Sequence, residues 1–123
     1  MNTISYYIPH PEAKESTLTA RTYINGEKFV TSTSIKIEPK NWNQKKQIVD
    51  FKDLPLSARM VKSKEINDQL SSFKTDLILC YETLLKTNKK PSKNDFRRAW
   101  KHWDNQKDGQ SLVNFFINDY SVN

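Results

Sequence analysis

Apolar and polar residues alternate along the first fifty positions of the chain, a period that is typical of β-strands. Over residues 3–8 the apolar side chains Ile4, Tyr6 and Ile8 fall on one face. The prolines that follow end this segment, because proline cannot donate to a strand ladder. The pattern therefore predicts a short first strand with one apolar face.

Two longer strands follow, joined by Asn25-Gly26, a pair that favours a two-residue type I′ turn with positive φ at both positions. The first runs over residues 17–24. The second begins at residue 27, is rich in threonine and serine, and ends between residues 33 and 37. On the first of these strands the apolar face carries Leu18, Ala20, Thr22 and Ile24, and the polar face carries Thr17, Thr19, Arg21 and Tyr23.

A basic turn comes after this hairpin. Pro39 stiffens residues 38–43, and Trp42 is expected to pack beneath the sheet as a core anchor. The features that follow are, in order, Lys45-Lys46, a short strand over residues 47–49 and a loop over residues 51–57.

From about residue 58 to residue 86 the apolar period changes to that of a helix. The apolar stripe consists of Ile66, Leu70, Phe73, Leu77, Tyr81 and Leu84. This spacing predicts one long amphipathic helix, which Pro91 breaks. Ser92, with Asp95 three positions later, resembles a capping box that opens a second helix over residues 93–103.

Together these elements predict an α+β fold, in which a small antiparallel three-stranded sheet packs on a long helix and shorter helices follow. We interpret residues 1–103 as one domain, with its sheet over residues 3–49 and its helices over residues 58–103. A polar linker and the start of a third amphipathic helix over residues 111–120 come next. We interpret residues 104–123 as the opening of a second, truncated domain.

The distribution of charge adds a function class to this picture. The chain has 123 residues and a net charge of +6, which suggests an anionic partner such as nucleic acid or a membrane surface. Residues 86–103 carry seven basic side chains against Asp95 alone, a surplus equal to the whole net charge, and residues 36–46 carry four lysines against Glu38. The sequence therefore has two basic patches, one beside the sheet and one around the second helix.

The chain lacks the groups that catalysis or metal binding would need. Gly26 and Gly109 are its only glycines, which excludes a glycine-rich phosphate loop. One cysteine, Cys80, and two histidines make neither an internal disulfide nor a usual structural zinc site, so no metal and no cofactor are expected. Without a membrane-spanning apolar run or a signal-peptide core, the expected compartment is the cytoplasm, with no membrane and no small-molecule partner.

The order of these features resembles a known family, the N-terminal arm-type DNA-binding region of phage and transposon tyrosine recombinases (integrases), most like those of Bacteroidetes mobile elements. The resemblance rests on a first strand that ends in proline (ISYYIPHP) and on INDQL in the long helix. Between them come an Arg-bearing strand, the Asn-Gly turn, a Ser-Thr-rich strand and a Pro-x-x-Trp turn with basic residues.

This resemblance implies a three-stranded sheet packed on a helix, with its outer face in the major groove of double-stranded DNA. It implies binding to arm-type sites distant from the crossover and assembly with other recombinase subunits. SLVNFFINDY would begin the family's core-binding domain. Because the catalytic domain is missing, this fragment is expected not to be an enzyme, although its parent would be a tyrosine recombinase.

Two groups of residues are candidates for the DNA interface. The main group combines the polar strand face with the basic turn, because arginine suits a guanine edge or a phosphate and lysines suit phosphates. The second group lies on the second helix, where its charges could equally face water, a membrane or a partner. The main group is Thr19, Arg21, Tyr23, Lys28, Lys36, Lys40, Lys45 and Lys46, and the second is Lys93, Arg97, Arg98 and Lys101.

Two alternatives stay open at this point. The family usually has glycine where Ser34 stands, and because that glycine would allow a bulge, the strand geometry at this position is undecided. The alternative function is a protein-interaction or oligomerisation module, in which the long helix and the third helix pair with other subunits. Phe115, Phe116 and Tyr120 would then form the contact patch.

Overall fold

The computed structural model describes residues 3–103 of the chain. The strands are β1 Ser5–Tyr7, β2 Ser16–Ile24, β3 Glu27–Ile37, β4 Trp42–Asn43 and β5 Ile48–Val49, and the helices are α1 Leu56–Leu85 and α2 at 93–103. An antiparallel sheet has the order β1-β2-β3, and a separate two-stranded ribbon pairs β4 with β5. The expected α+β fold, with a three-stranded sheet on a long helix, is confirmed.

The hairpin between β2 and β3 forms as the sequence predicts. Asn25 and Gly26 have φ values of 51° and 84°, the positive values that a type I′ turn requires. Every second side chain of β2 is buried, from Ser16 to Ile24. The alternation therefore separates an inner face, turned to the helices, from an outer face.

A bulge lies in β3 opposite Leu18. Thr19 pairs with Ser32, but Thr17 pairs with Lys36, so β3 contains two more residues than β2 over this stretch. Ser34 lies within the bulge and has a φ of 67°, in the left-handed region where glycine is favoured. The bulge that the sequence leaves undecided at this position thus forms with serine, without a glycine.

Hydroxyl groups satisfy the backbone at this bulge. Thr33 is buried, and its Oγ1 donates to the Leu18 carbonyl at 2.8 Å and accepts the Ile35 amide at 3.1 Å. Ser32 Oγ accepts the Ser34 amide at 3.1 Å. Part of the Ser-Thr richness of β3 is therefore explained by the bulge rather than by a ligand.

The free edge of β1 is closed by a side chain. The backbone N–H and carbonyl of Tyr6 both point away from β2, and the side-chain amide of Gln47 binds them. Gln47 Oε1 accepts from the Tyr6 N–H at 2.7 Å, and Gln47 Nε2 donates to the Tyr6 carbonyl at 3.1 Å. Gln44 donates to the same carbonyl at 3.1 Å. Gln47 thus takes the place of a neighbouring strand and holds the β4–β5 ribbon against this edge.

Helix α1 packs its stripe against the inner face. Leu70, Leu77 and Cys80 are buried with the apolar residues of the sheet, and the other stripe residues are half-buried against them.

Asn67 of α1 binds the backbone of β5 in the way that Gln47 binds the backbone of β1. Its Oδ1 accepts the Val49 amide at 2.8 Å, and its Nδ2 donates to the Val49 carbonyl at 3.0 Å.

Helix α2 begins at the predicted capping box. The Asp95 amide donates to Ser92 Oγ at 3.1 Å, and the Ser92 amide donates to Asp95 Oδ2 at 3.0 Å. Phe96 is fully buried, with its ring centroid 4.8 Å from that of Phe29 and 5.9 Å from that of Tyr81. The aromatic face of α2 is therefore part of the core.

Some boundaries differ slightly from those predicted. The loop expected over residues 51–57 ends earlier, because α1 begins at Leu56 directly after Pro55, whose carbonyl accepts a hydrogen bond from the Arg59 amide at 2.8 Å. Trp42 is half-buried against the core, with its ring edge-on to Tyr6 at 6.4 Å. The linker and third helix predicted within residues 104–123 lie outside the described residues, and the domain limits stay predictions.

Candidate nucleic-acid interface

The outer face of the sheet is a continuous polar surface on all three strands. Cross-strand pairs define it, because directly opposed residues point to the same side of a sheet. Ser5 is opposed to Arg21 and Arg21 to Val30, while Tyr7 is opposed to Thr19. The outer face, as we use the term, comprises Ser5, Tyr7, Thr17, Thr19, Arg21, Tyr23, Lys28, Val30, Ser32 and Lys36.

This face carries positive charge only. Of the residues that the structure describes, Arg21, Lys28 and Lys36 supply its cations, and none of its members is acidic. Lys28 lies at the hairpin end opposite Tyr23, and Lys36 lies at the other end opposite Thr17. The bulge matters here, since its two extra residues bring Lys36, rather than Ser34, opposite Thr17 on the outer face, while Ile37 is buried. Three cations on β2 and β3 are thus spread along this three-stranded surface.

Arg21 is ordered by a neighbour that the sequence reasoning missed. Its guanidinium carbon lies 5.2 Å from the ring centroid of Tyr7, in a cation–π contact. The alternation over residues 3–8 assigns Tyr7 to the polar face of β1, but the register between β1 and β2 is what brings the two side chains together. The only sequence signal was therefore an aromatic residue on an otherwise polar face.

Lys40 differs from the other candidates of the main group. Its ammonium binds Asp53 and lies 3.3 Å from Glu38. The hydrogen bond to Asp53, followed by that to Glu38, raises the pKa of Lys40, and the pKa of Asp53 is lowered in return. Both partners are exposed, so these pairs are weak, but the charge of Lys40 is already compensated.

Lys45 and Lys46 are exposed at the tip of the β4–β5 ribbon. The Lys46 amide donates to Asn43 Oδ1 at 2.9 Å, which closes the tip, while both ammonium groups lack an ion-pair partner within residues 3–103. The glutamine contacts to Tyr6 place this tip beside the β1 edge of the sheet.

The second candidate group lies on the helical side of the molecule. Arg97 covers the ring of Phe29 at 4.9 Å, and Arg98 binds Asp95 at 2.7 Å. Lys101 is exposed, and the Lys93 amide donates to Glu27 Oε1 at 2.9 Å, so the start of α2 touches the β2–β3 turn. The structure thus separates this group from the outer face, except near the hairpin turn.

Other site types have little support in residues 3–103. No group of three or more metal-ligating side chains occurs there, and none of the described helices is long and apolar enough to cross a membrane. Burial raises the pKa of the Cys80 thiol to about 11, so this side chain is protonated at neutral pH.

Comparison with known proteins gives one family. A family model described as Arm DNA-binding domain matches residues 11–97, which is more than two thirds of the chain. Searches of the curated proteins and of the solved structures gave no match. The matched range contains β2, β3, the ribbon, α1 and the first turn of α2.

Proposed function

We propose that this chain, which belongs to the Arm DNA-binding domain family, binds double-stranded DNA by setting the outer face of its sheet into the major groove. The observation that carries the proposal is a polar sheet face with three cations and no described carboxylate, backed by two helices. B-form DNA admits a β-ribbon in its major groove, where base pairs present distinct donor and acceptor patterns.

The candidates of the main group would divide into two roles. Thr19, Arg21 and Tyr23 lie on the central strand and would face the floor of the groove. Lys28, Lys36, Lys45 and Lys46 are exposed and would contact phosphates, which supply affinity rather than sequence preference. Lys40 would first have to exchange its contacts with Asp53 and Glu38, so we expect the smallest effect from its removal.

The second group has a narrower role in this proposal. Lys93, the first residue of α2, lies next to the β2–β3 turn, because its amide donates to Glu27. A duplex held by Lys28 would bring its phosphates close to this end of α2. Arg97, Arg98 and Lys101 lie further along α2, and we expect them to contribute only weakly.

We further propose that the domain serves a tyrosine recombinase of a Bacteroidetes mobile element, as the resemblance implies. It would hold arm-type sites while other parts of the recombinase perform strand exchange and other subunits complete the complex. The binding proposed here needs no cofactor, membrane or small-molecule partner. The expected cytoplasmic location also stays a prediction.

Salt dependence of binding tests the proposal. Fluorescence anisotropy with a labelled duplex at a series of salt concentrations should give a steep linear fall of log K with log salt. Lys28→Ala should reduce the slope by about 0.9, the value for one phosphate contact, while the matched exposed lysine variant Lys64→Ala on α1 should leave it unchanged.

Arg21→Ala should weaken binding more than Arg97→Ala, because only the first lies on the outer face. Binding that ignores the loss of Arg21 and Lys28, but disappears when the basic side chains of α2 are neutralised, would refute the sheet-in-groove proposal.

A protein-interaction role keeps one supporting observation. Leu56, Met60 and Val61, on the first turns of α1, are 71%, 63% and 71% exposed, respectively. Light scattering over a range of protein concentrations separates the two functions. A strict monomer with tight DNA binding would exclude self-association through this patch, whereas concentration-dependent assembly without DNA would favour it.

A further inference from the structure

We propose that Tyr7 is a positioning residue that holds Arg21 for a guanine edge, so that the two residues together set a base preference. The inference rests on the proposed function, because it names the base that the same face would recognise. It assigns a role to a residue of β1, outside the range that the family model matches.

The geometry begins with the register of β1 and β2. Ser5 is opposed to Arg21 and Tyr7 to Thr19, so Tyr7 and Arg21 are diagonal neighbours on the outer face. Diagonal pairs are within reach of long and aromatic side chains. The guanidinium carbon indeed lies 5.2 Å from the ring centroid. The ring therefore supports one side of the guanidinium group.

Arg21 has no competing ionic partner in the described part of the chain. None of the ion pairs found within residues 3–103 includes it. Stacking on a ring occupies a face of the guanidinium, but leaves its edge with the N–H donors accessible. A planar fork held in this way suits the paired acceptors O6 and N7 of guanine, whereas a phosphate can be met by a mobile point charge.

The strand that carries Tyr7 is itself held in place. Both backbone polar groups of Tyr6, the preceding residue, are hydrogen-bonded to the side-chain amide of Gln47, at 2.7 and 3.1 Å. The edge strand is therefore restrained on both sides, by β2 and by this side chain. Ordering an arginine before binding reduces the conformational entropy that recognition costs.

The experiment begins with the wild-type protein and a pool of duplexes with a randomised centre. Each guanine of the selected duplex is then replaced by 7-deazaguanine, which lacks the N7 acceptor. For the wild type we expect one position where this replacement weakens binding about fivefold or more, the low end of the range for a bidentate contact, because N7 is one of its two acceptors. The same replacement should cost Arg21→Ala nothing further.

Variants of Tyr7 separate positioning from mere packing. Tyr7→Phe should retain the full penalty for 7-deazaguanine, because the ring remains. Tyr7→Leu should reduce the penalty by about 2- to 5-fold, the value of an exposed cation–π contact, with an unchanged salt slope because no phosphate contact is lost. Lys64→Ala, on α1 and outside the outer face, is the control and should behave like wild type.

Two outcomes would overturn the inference. In the first, wild-type binding is salt-dependent but Tyr7→Leu keeps the full 7-deazaguanine penalty, which leaves the proposed function standing. In the second, the wild type shows no salt-dependent duplex binding, which removes the proposed function as well. Thermal unfolding of Tyr7→Leu sets a temperature for the binding assay at which both proteins are folded, so that loss of fold cannot imitate either result.

Discussion

The two faces of the three-stranded sheet are made by the same strands but have opposite chemistry. On the inner face, Leu18 and Ile24 are fully buried, and the buried Thr33 hydroxyl binds a backbone carbonyl. On the outer face the side chains are half-buried or exposed, and Arg21 has one aromatic contact and no described ion pair. Under the proposed function, stability and recognition would be assigned to separate faces, so that substitutions should affect one property at a time.

The strongest test of this separation compares neighbours on β3. Phe29 is fully buried, 4.8 Å from Phe96, and Phe29→Ala should lower the free energy of unfolding by about 3–5 kcal/mol, because it leaves a cavity in the core. Lys28→Ala, one residue away on the outer face, should change it by less than about 0.5 kcal/mol. Denaturant unfolding measures both.

For DNA affinity we expect the opposite order. Lys28→Ala should weaken binding, whereas Phe29→Ala should not, provided that it is assayed under conditions in which it is still folded. If Lys28→Ala destabilised the domain as strongly as the core substitution, the outer face would contribute to stability as well. The separation of stability from recognition would then be contradicted.

The next largest effect extends the comparison to the ribbon, which the side chains of Gln47 and Asn67 hold against β1 and α1, respectively. Asn67→Ala removes both hydrogen bonds to the backbone of Val49, a residue that is 1% exposed. We expect a loss of about 2 kcal/mol, since a buried donor and a buried acceptor lose their partner.

The adjacent variant Asp68→Asn is the control, because it breaks only an exposed pair with Lys64 and should cost less than about 0.5 kcal/mol. Equal stability of Asn67→Ala and wild type would mean that water replaces the amide and that the ribbon is not held through this contact.

Local signals in the sequence were sufficient for most of the fold. The Asn25-Gly26 turn, the alternation on β2 and the capping box at Ser92 each depend on residues close together in the chain, and each is confirmed. The resemblance to arm-type DNA-binding domains agrees with the family match, although the recombinase class and the DNA-contacting residues stay predictions.

Contacts between distant residues were not predictable in the same way. The side-chain clamps of Gln47 on Tyr6 and Asn67 on Val49 span 41 and 18 residues, and glutamine or asparagine in those places reads as ordinary polar surface. The pairing of Tyr7 with Arg21 depends on a strand register that no local pattern reveals. Lys40 looked like its neighbouring lysines until the fold brought Asp53 to it.

A smaller effect concerns the attachment of α2 beneath the inner face. Ser92→Ala should cost about 1 kcal/mol, because it removes the acceptor for the Asp95 amide at the helix start. The hydrogen bond from the Ser92 amide is the largest cause that lowers the pKa of Asp95 below its ordinary value of 3.8. Because the pKa of Asp95 is lower in the folded state than in the unfolded state, its ionised carboxylate stabilises the fold at pH values above 3.8. This contribution is lost as the pH falls through the folded-state pKa.

Wild type should therefore exceed Asp95→Asn in stability at neutral pH, and the difference should vanish in acid below the lowered pKa of Asp95. Thermal unfolding from pH 7 to pH 2 measures the difference. A gap between the two proteins that stays constant with pH would mean that the carboxylate charge contributes nothing to this cap.

The smallest expected change is at Ser34, where the bulge determines which residue of β2 each later residue of β3 opposes. Ser34→Gly should stabilise the fold by about 0.5–1 kcal/mol, because glycine adopts a φ of 67° without the Cβ clash, and because the hydrogen bond of this residue uses its backbone amide. DNA affinity should not change, since Lys36 keeps its outward position. Gly26→Ala is the control in the opposite direction. It places a Cβ at a φ of 84°, and we expect it to lower the free energy of unfolding by a similar amount. A stabilised Ser34→Gly variant that binds DNA poorly would instead assign the serine hydroxyl to the outer face and make recognition, rather than folding, the reason for a strained residue at the bulge.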